Sequence, residues 1–232
     1  MKPVEQVLSH AAALVAADVG CSGGNVAGTD HHRHELERLL AISIGPACHE
    51  LRSPLAVVYG FARMVQQSDH PDPSHVQHIV DGGSRLDDML DLLAVMGRIA
   101  GGRTQPDLAD HSLDAILSEL VIDGADALPL SVAGSCDQLV FVDKDWLAAA
   151  IIDSVRGLCY EPSMRVQAAP RAHAGGVRIE LTVDAAVPLP ERDEGACSLR
   201  IALARMRLVA MGGSVRSADF GLVLEVPARR SS

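Results

Sequence analysis

Between residues 31 and 67 apolar side chains recur at helical spacing, and the stripe they draw is too wide for one helix to hide. Leu36, Leu39, Leu40, Ile44, Cys48, Leu51, Leu55, Val58, Phe61, Ala62 and Val65 mark it. Pro46 and Pro54 lie inside the stripe. Each removes a backbone donor, so each should bend the helix; neither should end it, because the stripe runs on past both. Residues 68–73, Ser-Asp-His-Pro-Asp-Pro, read as a turn, and Ser74 is the expected N-cap of a second helix ending near residue 99. Its apolar face is Val76, Ile79, Val80, Leu86, Met89, Leu90, Leu93 and Met96. Two long helices joined by so short a turn form an antiparallel hairpin. Such a hairpin cannot cover itself, so the expected assembly is a homodimer whose two hairpins make a four-helix bundle.

The rest of the chain has a different texture. Residues 3–18 read as a short amphipathic helix and residues 20–30, rich in glycine, as a flexible break. Residues 101–111 read as a linker. Beyond it the pattern predicts a helix over 112–121, strands over 128–132 and 139–142, and a helix over 145–159. Strands over 164–168 and 177–183 follow, then a helix over 199–211 stopped by Gly212 and Gly213. A closing hairpin, 214–218 with 222–226, turns at Asp219, Phe220 and Gly221. The fold class is α+β: a helical hairpin over 31–100, then an α/β sandwich over 112–232 with one mixed sheet and helices on one face.

Composition narrows the function. With 20 Lys+Arg against 30 Asp+Glu, a net charge of −10 and only 3% aromatic residues, the chain suits neither a phosphate backbone nor base stacking. Five cysteines at long spacings, with no Cys-x-x-Cys, argue for a reducing compartment and against a zinc site. No stretch approaches the roughly 20 apolar residues of a membrane span. A cytoplasmic protein without membrane insertion is expected.

The stretch that carries chemistry is His49-Glu50-Leu51-Arg52-Ser53-Pro54-Leu55. An imidazole in mid-helix is held rigidly and can face solvent. Glu50, next to it, can bind one ring nitrogen, fix the tautomer and raise the nucleophilicity of the other. Ser53 lies a turn beyond Glu50 and could position a water or a phosphoryl oxygen. Arg52 offers a fork that matches phosphate.

This heptad resembles the H-box of two-component sensor histidine kinases, usually HELRTPL. The resemblance extends over about residues 30 to 228, in the family's order of a dimerisation hairpin followed by a Bergerat-type ATPase-like domain. It implies that His49 carries a phosphoryl group. It also implies a nucleotide site with a magnesium-binding asparagine, an adenine-reading aspartate, glycine loops and a long lid. Residues 145–160 resemble the asparagine-bearing helix. The asparagine positions hold either Asp153 and Gly157 or Ile152 and Arg156, depending on the end from which the helix is aligned, and the sole asparagine of the chain is Asn25. Asp184 resembles the adenine-reading residue of a DxGxG box, but Ala186 and Pro188 stand where its glycines belong. A side chain blocks the close approach that glycine permits. The helix over 199–211 lacks a preceding Gly-x-Gly, and too few residues separate it from Pro188 for the usual lid. The domain is thus expected to be a degenerate scaffold that holds no cofactor of its own.

The resemblance is strongest to kinase-like histidine phosphotransferases, which take a phosphoryl group from one receiver-domain aspartate and give it to another. Their partners are response-regulator receiver domains, which supply the magnesium, and an upstream hybrid sensor kinase. Candidate docking residues below His49 are Val57, Tyr59, Gly60, Met64 and the facing Leu93. A response-regulator phosphatase using Glu50 and Ser53 is the second expectation and a pseudokinase adaptor the third. An ATP-dependent kinase is the least favoured. His31, His32 and His34 fan around a helix start and read as solvated, with no metal expected. Cys48 reads as a small buried residue and Trp146 as a packing anchor.

Overall fold

The structure is a computed structural model that describes residues 27–70, 72–122, 128–159, 163–173, 175–184 and 198–228. The helix expected over residues 3–18, and the expectations attached to Ala186 and Pro188, lie outside these residues.

Helix α1, Ala27–Gln67, runs unbroken through Pro46 and Pro54. Pro54 cannot donate to the Glu50 carbonyl, so the helix keeps its course there without that bond. Helix α2 spans Pro73–Ala100. Its N-cap is Asp72, not the expected Ser74: the Asp72 carboxylate accepts from the Ser74 backbone N–H at 2.8 Å, and Pro73 takes the first helical turn. The chain gains a cap two residues early because proline needs no acceptor for the N–H it lacks. The Ser74 N–H, and then the Ser74 side chain, hold the Asp72 carboxyl below its ordinary range. The two helices pass close to one another at Gly82. A Cβ there would lie 2.7 Å from Val58 Cγ2 and 3.3 Å from the Pro54 carbonyl oxygen, so glycine lets α2 pass against the proline of α1.

The C-terminal domain begins with β1, Ala109–Ser112, and α3, Leu113–Ile122. There follow β2 (Leu130–Val132), β3 (Leu139–Val142), α4 (Lys144–Leu158), β4 (Val166–His173) and β5 (Gly176–Val183). Helix α5 is Leu199–Ala210, and β6 (Ser214–Ala218) and β7 (Gly221–Pro227) close the domain. The described strands form two sheets where one was expected: a five-stranded sheet ordered β2-β4-β5-β7-β6 and a separate antiparallel pair, β1-β3. Strand β1 falls where a linker and a helix start were expected. Its sequence, Ala-Asp-His-Ser, has no apolar alternation, and it is drawn into a strand by pairing with the apolar β3.

Strand β4 runs beyond its expected end at residue 168 and contains the buried Pro170. Val166 donates to the Pro129 carbonyl and Ala168 accepts from Ala133, so alternate residues of β4 face β2. Position 170 faces the same way, but β2 has ended at Val132, and no ladder bond is lost to the proline.

Two apolar clusters organise the described residues. One fills the C-terminal domain between the sheet and its helices, with Leu117, Val140, Leu147, Ile151, Val166, Ile179, Leu181 and Leu224 at its centre. The other joins the domain to the hairpin. Leu199, Leu203 and Met206 of α5 pack with Leu36, Leu39, Leu40 and Ala47 of α1 and with Met96, Ile99 and Ala100 of α2. Trp146 packs against both clusters, as an anchor should. The α5 stripe therefore seats the domain on the lower hairpin. Leu203 is 1% exposed, and truncating it leaves a cavity in that seat. Leu203→Ala should lower stability by about 2–5 kcal/mol in urea unfolding. It should also speed proteolytic cleavage between residues 101 and 108.

Candidate functional site

A cleft of about 690 Å³ opens where α1, α2 and the C-terminal domain meet. From α1 it is lined by His49, Glu50, Ser53, Pro54 and Val57, a single helical face. From α2 come His78, Asp81, Gly82, Arg85, Asp88, Met89 and Leu92. The third wall belongs to the C-terminal domain: Arg156, Gly157, Cys159, Ser198, Leu199 and Arg200.

His49 is exposed, Glu50 half-buried and Ser53 exposed. The helix thus brings the imidazole, a carboxylate and a hydroxyl into one solvent-reachable cleft. Arg52 is exposed and does not line it. Of the candidate docking residues, Val57 lines the cleft, while Tyr59, Gly60 and Met64 are exposed below it. Leu93 is half-buried and packs on the hairpin–domain cluster, so it faces inward.

Sequence reasoning did not single out the third wall. It exists because α4 and α5 are pressed together. At Gly157 a Cβ would lie 2.6 Å from Ile201 Cγ1 and 2.8 Å from Ser198 Oγ. Any side chain there would push the start of α5 away. Ser198 caps α5, accepting from the Ile201 N–H at 3.4 Å. Arg156, in the last turn of α4, and Arg200, in the first turn of α5, thereby stand on one surface.

Asp153 lies behind this wall. It is 6% exposed, on the buried face of α4. Arg200 donates from Nη1 to Oδ1 at 3.3 Å, and Arg207 Nη1 donates to the other carboxylate oxygen. Burial pushes the Asp153 carboxyl above its ordinary range, and the two arginines pull the other way without cancelling it. A signal for this bridge was present in the sequence: Arg200 and Arg207 are seven apart, two turns along one face of α5, opposite an acid inside the apolar run of α4.

The two alternative alignments of α4 each put a magnesium ligand here, and neither residue set fits one. Asp153 is engaged by two guanidiniums and the space at Gly157 is taken by Ser198 and Ile201. Ile152 and Arg156, the other pair, are an alkyl group and a cation. Asp184, at the end of β5, is exposed, and its backbone N–H donates to the Arg165 carbonyl at 2.9 Å. In the cleft, burial pushes the Cys159 thiol up, against the pull of Arg165. That keeps it protonated and weakly nucleophilic. Among the histidines at the start of α1, His34 lies 3.6 Å from Glu37, which Arg33 also meets at 3.0 Å. His32 Nδ1 lies 3.3 Å from the Val209 carbonyl oxygen. Cys48 is half-buried.

No family model and no curated protein matches this chain. Solved structures do. The histidine kinase AdeS of Acinetobacter baumannii is similar over 78% of this chain and 98% of its own, at 14% identity and a TM-score of 0.58. The histidine kinase ThkA, solved in complex with the response regulator protein TrrA, is similar over 85% of this chain, at 16% identity and a TM-score of 0.62. This chain spans 64% of the ThkA chain. The fold is therefore that of the histidine kinases. Its hairpin corresponds to their helical dimerisation region and its α/β domain to their ATPase-like domain. No described helix is long and apolar enough to cross a membrane.

The Asp153 bridge gives a test of the electrostatics. Arg207→Met strips the nearer counter-charge from a buried carboxylate and should cost about 3–5 kcal/mol at pH 7. The folded-state pKa of Asp153 already lies above the unfolded value of 3.8. Its ionised form therefore weakens the fold as pH rises from 3.8 through that raised value, and protonation relieves it. The Arg207→Met deficit should shrink when urea unfolding is repeated at pH 4. A deficit independent of pH would contradict the bridge.

Proposed function

We propose that this protein is a histidine phosphotransferase of two-component signalling that works without ATP. His49 takes a phosphoryl group from a receiver-domain aspartate and passes it to another. The observation that carries this reading is the exposed imidazole of His49, fixed in mid-helix in a cleft beside Glu50. The C-terminal domain over that cleft presents arginines and a buried acid where a nucleotide site would need metal ligands.

The chemistry asks little of the chain. Attack by the unprotonated ring nitrogen of His49 on the aspartyl phosphate breaks the acyl oxygen–phosphorus bond and forms a nitrogen–phosphorus bond. The aspartate carboxylate leaves, and the return step to a second receiver is the reverse. Glu50 steadies the ring and favours its reactive tautomer. The receiver supplies magnesium and the acidic pocket. ThkA, of like fold, was solved with a response regulator, which supports a receiver as partner. The surface below His49 suits such docking: Tyr59 is 64% exposed and Met64 49%.

Val76, Val80 and Leu90 of α2 are also large, apolar and exposed. In the proposed homodimer a second hairpin covers them in a four-helix bundle. The upstream donor in this reading is the receiver of a hybrid sensor kinase, and the compartment is the cytoplasm. A second reading, a response-regulator phosphatase, draws on the presence of Glu50 and Ser53 in the same cleft, where both could orient a hydrolytic water.

Incubation with a phosphorylated receiver domain separates the two. Relay predicts acid-labile label on the protein, lost in His49→Gln by at least about 100-fold, as expected when the nucleophile itself is removed. Free phosphate released at the wild-type rate by His49→Gln, and abolished by Ser53→Ala, would instead establish the phosphatase.

A further inference from the structure

The described residues of the wall that the C-terminal domain turns toward His49 carry charge of one sign. Among the described residues Arg156 and Arg200 line it, and no carboxylate does. The acids of the cleft, Glu50, Asp81 and Asp88, are all on the hairpin, where Arg85 lies between the last two. Arg85 and Arg156 make no ion pair or hydrogen bond among the described residues. Arg200 gives one Nη1–H to Asp153, and its other N–H groups meet no acceptor among the described residues.

This placement is costly as it stands. Arg200 is the second residue of α5, a twelve-residue helix. A cation at a helix N-terminus meets the positive end of the helix dipole. Arg156 adds a second guanidinium to the same wall, and Gly157 lets the two helices close so that both face one space. Asp153 offsets part of this charge from behind, but its carboxylate is shared with Arg207. An anion in front of the wall would complete the balance. Guanidinium forks and a helix N-terminus match a phosphoryl group in charge and in geometry.

We infer that Arg85, Arg156 and Arg200 receive the phosphoryl group carried by His49. The degenerate domain thereby acts as a phosphohistidine clamp, with Asp153 as the positioning residue that aims Arg200 into the cleft. This rests on the phosphotransferase reading and extends it. The wall holds the intermediate between its arrival from one receiver and its departure to the next. It also gives the domain a reason to stay seated on the hairpin.

The test uses the full chain and a small phosphodonor. Phosphoramidate transfers its phosphoryl group to imidazole: its phosphorus–nitrogen bond breaks, the bond to the ring nitrogen forms, and ammonia leaves. The ³¹P resonance of phospho-His49 is assigned by its loss in His49→Ala and then titrated with pH. Cations within reach favour the dianion, so its apparent pKa should lie about 1 unit or more below that of the urea-unfolded phosphoprotein. The double variant Arg85→Ala/Arg156→Ala, which breaks no ion pair among the described residues, should bring it back most of the way. Asp153→Asn, by releasing Arg200, should move it part of the way. Phosphorylation of His49 with equal titration in wild type, double variant and unfolded chain would overturn the clamp alone. No phosphorylation of His49 in the folded chain would overturn the function reading and the clamp together. Micromolar binding of inorganic phosphate or ATP to His49→Ala, abolished in the double variant, would assign the wall to a diffusible phosphate ligand and overturn it as well.

Discussion

Everything in this molecule depends on the apolar seat of α5 against the lower hairpin. Leu199, Leu203 and Met206 are buried in side chains of α1 and α2 as fully as in a domain interior. Helices pack with interdigitated side chains at near-crystalline density, so a seat of this kind has few alternative arrangements. That interlock fixes where the α5 N-terminus points. Its first residues, Leu199 and Arg200, line the same cleft as His49. The same helix is tied on its other flank to α4 through Asp153, and pressed against α4 at Gly157. One helix thus transmits the position of the whole C-terminal domain to the histidine.

The division of the hairpin follows from this. Its lower end, around Leu39 and Met96, is covered by α5. Elsewhere the hairpin keeps Val57, Met64, Val76, Val80 and Leu90 exposed. In the proposed homodimer a second hairpin covers them. Between the two ends sit Pro54 and Gly82. There a missing N–H and a missing side chain let the helices approach just beyond the histidine.

Much of the architecture could be read directly from the residues. The two helical stripes, the passage of α1 through its prolines, the order of the later elements and the closing hairpin all follow from periodicity and turn chemistry. The misses have physical causes. Strand β1 is made by its partner, since Ala-Asp-His-Ser has no strand pattern of its own. Strand β4 outlasts expectation because Pro170 lies beside the end of β2, where a proline harms nothing. The cap of α2 moved to Asp72 because Pro73 fits the first turn of a helix. The arginines of the cleft were invisible as a group because Arg85, Arg156 and Arg200 come from three separated segments, which the packing of α5 against the hairpin and α4 brings to one cleft.

Under the proposed function the C-terminal domain holds no nucleotide: Asp153 is bridged by two arginines, the space at Gly157 is taken by Ser198 and Ile201, and Arg156 and Arg200 share the cleft of His49. Isothermal titration of the full chain with magnesium–ATP addresses that claim most directly. No saturable heat is expected up to millimolar nucleotide. A saturable isotherm with a micromolar Kd that requires magnesium would contradict it.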